Sequence, residues 1–105
     1  MNDEDKINAF DLCEDAKKAN NLGADLGLGK GKKHEGAGKA MADTLYWAGA
    51  ISQETRNTIK DGINTRNSIQ HDEKTPKVTH AQASAVNQAV NEVKNMLDNG
   101  FITEF

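Results

Sequence analysis

The sequence predicts an all-α fold, a small up-down bundle of four helices. Three observations carry this. Apolar residues recur at helical spacing in four separate stretches. No run alternates apolar and polar residues for long enough to suggest a strand. The single proline, Pro76, and most of the nine glycines fall between those stretches rather than inside them.

The first stretch, residues 3–21, sets Ala9, Leu12, Cys13, Ala16 and Ala19 on one helical face. Asp3, Glu4 and Asp5 stand at its start, where the helix dipole favours negative charge. Residues 22–38, "LGADLGLGKGKKHEGAG", hold six of the nine glycines and predict a mobile Gly/Lys-rich loop. A second helix follows over about 36–48, with Ala37, Met41, Thr44, Leu45 and Ala48 on one stripe and Tyr46 and Trp47 near its end. Gly49 suits the left-handed position just past a helix.

Ser52 is a good cap for the third helix, with Glu54 in its first turn. Ile59, Ile63 and Arg66 lie at i, i+4 and i+7, so an arginine continues an otherwise apolar stripe. The polar turn "HDEKTPK" ends this helix near residue 70. Thr79 caps the fourth helix, Gln82 completes a capping box, and Val78 can staple onto Ala83. Val86, Val90, Val93 and Leu97 form its inner face, Asn99-Gly100 stops it, and "FITEF" is an apolar tail expected to fold back.

A chain of 105 residues forms one domain over 1–105. That size buries only about two thirds of its unfolded surface. With 36% apolar residues, self-association is the expected way to cover the remaining apolar face, as a homodimer along the third helix. The single cysteine rules out an internal disulfide, no apolar run follows a basic start, and nothing approaches the roughly 18 apolar residues of a membrane helix. The expected compartment is the cytoplasm.

The net charge of −3 argues against a general nucleic-acid coat, since such affinity comes from neutralising phosphates. The charge is uneven, however. Residues 1–28 carry seven acids and three bases, whereas "KGKKHEGAGK" at 30–39 carries four lysines and one acid. Lys30, Lys32, Lys33 and Lys39 therefore have two readings, a solvated loop or contacts to an RNA backbone. The loop is not a nucleotide-triphosphate loop: Gly38-Lys39 is followed by Ala40, position 33 is Lys, and no strand precedes it. No His-x-x-x-His or cysteine pair exists, so no metal or other cofactor is expected, although "HDE" at 71–73 leaves a hard-metal alternative. Cys13 reads as a small core residue rather than a nucleophile.

"TRNSIQHD" at 65–72 is the segment with chemistry in it. A histidine titrates near neutral pH and moves protons. A guanidinium presents oriented donors to a phosphate, and an asparagine can orient either the imidazole or the substrate. Arg66, Asn67 and His71 together are a minimal kit for cleaving RNA through its own 2′-hydroxyl, with one base, one charge stabiliser and no metal. The bland alternative is a helix end with a solvated histidine.

Arg66-Asn67-Ser68-Ile69-Gln70-His71 resembles the signature of the HEPN superfamily (higher eukaryotes and prokaryotes nucleotide-binding): an Arg, often followed by Asn, then a His after four to six residues. The flanks look similar too, with Leu45, Gly49 and Ile51 before the motif and Val78, Thr79 and Ala83 opening the last helix. The likeness covers about residues 40–97. It implies a helical bundle that forms a homodimer, with the Arg and His motifs of two chains facing one cleft. It also implies metal-independent endoribonuclease activity, with RNA as substrate, of the kind found in toxin–antitoxin and phage-defence systems. An antitoxin or other protein partner goes with that role. Other members keep the fold and only bind nucleotides, RNA or proteins, so a non-catalytic module or a purely structural adaptor is the alternative. The glycine-rich connection departs from the family pattern.

Overall fold

The computed structural model describes residues 3–28, 36–71 and 77–100. Regular structure among them is entirely helical: α1 (Asp3–Asp25), α2 (Ala37–Trp47), α3 (Gln53–His71) and α4 (His80–Asp98). Lys30, Lys32, Lys33 and the tail from residue 101 lie outside the described residues. No described helix is long and apolar enough to cross a membrane.

The core follows most of the stripes read from the sequence, but Cys13, read as a small core residue, is only half-buried at the edge of its stripe, and Ala48 is exposed. Leu12, Met41, Leu45, Ile59, Val78, Val90 and Val93 are fully buried. Ala9, Ala16 and Ala19 complete the inner face of α1, and such small side chains let neighbouring helices approach closely. The caps follow as well. The Ser52 hydroxyl accepts from Thr55 N at 3.1 Å, and the Thr79 hydroxyl accepts from Gln82 N at 3.1 Å. Gly49, at φ 76°, donates to the Tyr46 carbonyl while Ala50 donates to that of Leu45, the paired bonds that close a helix around a left-handed glycine.

Two expectations need correction. The first helix does not stop at residue 21. It runs to Asp25 and closes with the same device, Gly27 donating to Ala24 and Leu28 to Gly23. Gly23, read as a loop residue, and Gly38, where the loop and second-helix readings overlapped, are helical and buried, because α1 and the start of α2 touch there. A Cβ on Gly23 would run into the Ala37 carbonyl oxygen, and one on Gly38 would lie 2.6 Å from Asn20 Oδ1. The glycines therefore permit contact as well as turning.

The second correction is the direction of the helices. Asn8 Nδ2 donates to the Val78 carbonyl at 3.2 Å, and Asn87 Nδ2 donates to the Asp15 carboxylate at 3.1 Å. These pairings advance together, so α1 and α4 run in the same sense. Thr55 pairs with Glu92 while Gly62 packs against Val86, so α3 runs against α4. A strict up-down bundle would set its first and last helices antiparallel. The connection between α1 and α2, residues 26–36, is long enough to lift the constraint that short links impose.

A polar seam joins α2 to α3. The buried Asp43 carboxylate accepts from Lys60 Nζ at 3.0 and 3.1 Å, with Arg56 Nε 3.9 Å away. The Arg56 guanidinium also lies 4.4 Å from the centre of the Tyr46 ring. Removing the carboxylate leaves two half-buried cations side by side. Asp43→Ala should therefore lower stability by about 1–3 kcal/mol. In a chain this size that reads as a thermal midpoint lower by roughly 5–20 °C in a circular-dichroism melt. An unchanged midpoint would mean the seam is only a solvated surface pairing.

Candidate functional site

The motif occupies the last turns of α3. Ile59, Gly62 and Ile63 hold the inner face of that helix in the core. Arg66 follows one turn later and is half-buried, as its place on the stripe predicts. It lies close enough to α1 for its charge to act on Cys13. Burial pushes the Cys13 thiol up, Glu14 adds to the shift, and Arg66 pulls partly the other way. The net result favours the protonated thiol, so Cys13 is no activated nucleophile.

Asn67 and His71 are both exposed, one turn apart on the same side of α3. His71 is the last helical residue. Arg66 and His71 do not share a face: five residues at helical geometry separate them by roughly 140° around the axis and about 7.5 Å along it. Within one chain, guanidinium and imidazole diverge. Among the described residues, no side-chain hydrogen bond or ion pair engages Arg66, Asn67 or His71. Ile69, between them, packs against the core and fixes the helix end.

Of the four lysines singled out, only Lys39 is described. It is half-buried in the first turn of α2, not in a loop, and no hydrogen bond or ion pair joins it to the α3 motif among the described residues.

A groove of about 420 Å³ runs between α1 and α4, lined by Asp11, Glu14, Asp15, Lys18, His80 and Asn87. Three carboxylates against one ammonium make it a poor seat for a phosphate backbone. Asp15 is buried there and held by Asn87 and, at 3.9 Å, by Lys18. Asp15, Asn8 and Asp43 are buried polar groups that the stripe analysis passed over. For α1 the signal was present: Asn8 and Asp15 flank Leu12 at i−4 and i+3, on the inner face. Asp43 carried no such local signal, since its partners lie 13 and 17 residues away in α3. Among the described residues, no three of His, Cys, Asp and Glu converge as a metal-binding group.

No family model, curated protein or solved structure matches the chain. The likeness to the HEPN superfamily thus rests on the motif and its flanks.

Proposed function

We propose that this domain is a HEPN-like, metal-independent endoribonuclease whose chemistry lies at the end of α3. The observation that supports this most is the state of Arg66. It is half-buried on the core stripe with no carboxylate partner among the described residues, and a partly desolvated guanidinium in that condition is suited to an anionic ligand. Exposed His71 at the same helix end supplies the proton-transfer group. In the proposed step, the imidazole takes the 2′-hydroxyl proton and the 2′-oxygen attacks the adjacent phosphorus. The bond to the 5′-oxygen breaks, that oxygen leaves with a proton from an acid, and a 2′,3′-cyclic phosphate remains. Arg66 stabilises the extra negative charge on the pentacoordinate phosphorus.

The divergence of Arg66 and His71 around α3 favours a site made from two chains, in which the arginine of one meets the histidine of the other. Such an activity fits a toxin–antitoxin or phage-defence role, with a partner protein holding it in check. Incubation of the purified protein with mixed RNA and a chelator tests the reading. Cleavage should persist with the chelator and disappear in His71→Ala. A specific observation favours a second reading, a non-catalytic binding module: nothing among the described residues orients the His71 ring. RNA that stays intact but is retained by wild type would establish that reading instead.

A further inference from the structure

The outer face of α1 carries the two most exposed aliphatic and aromatic side chains of that helix, Ile7 at 61% and Phe10 at 65% exposure. They lie one turn apart, on the side opposite the stripe that buries Leu12, Ala16 and Ala19. On the same outward band stand Asp3, Lys6, Glu14 and Lys17, all exposed, and half-buried Cys13. At helical geometry these seven residues fall within a sector of roughly 120°.

The order of chemistry along this band is symmetric about Phe10. Three residues either side stand Ile7 and Cys13, both apolar. Four residues either side stand Lys6 and Glu14, of opposite charge. Seven residues either side stand Asp3 and Lys17, again opposite. A pattern of this kind is complementary to itself when reversed. Two such helices laid antiparallel bring Phe10 against its own copy, Ile7 against Cys13, Lys6 against Glu14 and Asp3 against Lys17. Each unlike pair occurs twice. A parallel arrangement would instead stack like charges on one another. Self-complementarity under a two-fold rotation is what an isologous dimer interface requires, and a central aromatic ringed by charges is the usual anatomy of its energetic centre.

We infer that the outer face of α1 docks a second copy of this chain, antiparallel and centred on Phe10. The seam is edged by Cys13, near enough to Arg66 of the same chain to feel its charge, so the α3 motif of each chain borders the interface. The inference needs no catalytic activity and is tested without RNA. A failure here therefore leaves the cleavage assay to judge the proposed function separately.

Sedimentation of the intact protein at about 100 µM should show a dimer, a concentration at which even a modest interface of this kind is occupied. Phe10→Asp should raise the dissociation constant about 30-fold or more, as the loss of a central anchor does. Charge reversals then test the register. Lys6→Glu sets two carboxylates together in each half of a homodimer, and Glu14→Lys sets two ammoniums together, so each alone should weaken association about tenfold or more. Mixing the two variants restores both unlike pairs and should recover wild-type affinity as a heterodimer. Ile7→Cys under mild oxidation should cross-link through native Cys13 into a covalent dimer. Within one helix those positions are about 9 Å apart, too far to bridge. A monomeric wild type at that concentration would overturn the inference, as would a dimer whose affinity ignores Phe10→Asp and both charge reversals. Circular dichroism keeps the reading clean, since substitutions on an exposed helix face should leave the helix signal unchanged.

Discussion

His71→Ala should cleave RNA about 10²- to 10⁴-fold more slowly than wild type, the usual worth of a positioned general acid or base. Its fold should be untouched, because the side chain is exposed and engages nothing among the described residues. Arg66→Ala should lose a comparable factor for a different reason, the uncompensated charge on the phosphorane. Its stability makes a second, independent readout. A half-buried cation without a counter-ion is a liability to the folded state. Arg66→Ala should therefore melt at or above the wild-type temperature, where a structural arginine would have melted lower. Arg66→Lys keeps the charge but loses the paired donors, and should recover only part of the rate.

Mixing the two variants locates the pair. The rotation of roughly 140° between the side chains sends them to different sides of α3. The productive pair should then be formed between chains. In an Arg66→Ala and His71→Ala heterodimer, one arginine and one histidine survive on opposite chains, and they are one of the two original pairs. Random mixing makes half of the dimers heterodimers with one site in two intact, so about a quarter of wild-type activity should return. If both groups act within one chain, no dimer holds an intact pair and the mixture stays inactive. A His71→Ala protein that cleaves at the wild-type rate would remove the catalytic reading altogether and leave His71 as a solvated helix end.

Most of the fold was legible in the sequence because it is written locally. Ser52, Thr79 and Gly49 act through backbone groups three to five residues apart, and the stripe from Val86 to Val93 needs only helical periodicity to be read. The half-burial of Arg66 was legible for the same reason. What was not legible depends on distant partners. Asp43 is buried because Lys60 and Arg56 meet it from another helix, and nothing around position 43 announces this. The common direction of α1 and α4 depends on Asn8 meeting Val78 and Asp15 meeting Asn87, some 70 residues on. Glycine misled for a related reason. It marks loops by its backbone freedom, but Gly23 is used for the absence of a side chain, as are Gly38 and Gly62 inside α2 and α3, and only the packed structure reveals this.

Gly23→Ala should be the most destabilising single methyl added to this chain. Elsewhere in a helix interior the change would help, since alanine is favoured over glycine by about 1 kcal/mol. Here the new Cβ would meet the Ala37 carbonyl oxygen and crowd the Ala37 Cβ at 3.1 Å. The obstacle is backbone, so no rotamer change relieves it. The start of α2 has to move away from α1, and that movement breaks the 3.0 Å bond from Gly38 N to Asn20 Oδ1. It also loosens the contact of Gly38 with Ile63. Overpacking of this kind usually costs about 1–3 kcal/mol, and the lost hydrogen bond between the helices adds about 1 kcal/mol. Against the propensity gain, a net loss of about 1–3 kcal/mol remains, roughly 5–20 °C of thermal midpoint for a chain this size. Gly62→Ala should lose less, because its obstacle is the pair of Val86 methyls at 2.9 Å and a side chain can shift. Gly49→Ala meets nothing within 4 Å, so its loss should be only the strain of a left-handed alanine at φ 76°, about 1 kcal/mol. The order of the three melting temperatures is the test. If Gly23→Ala melts at or above wild type, α1 and α2 do not approach through that glycine, and the account of why the first helix runs on to Asp25 falls with it.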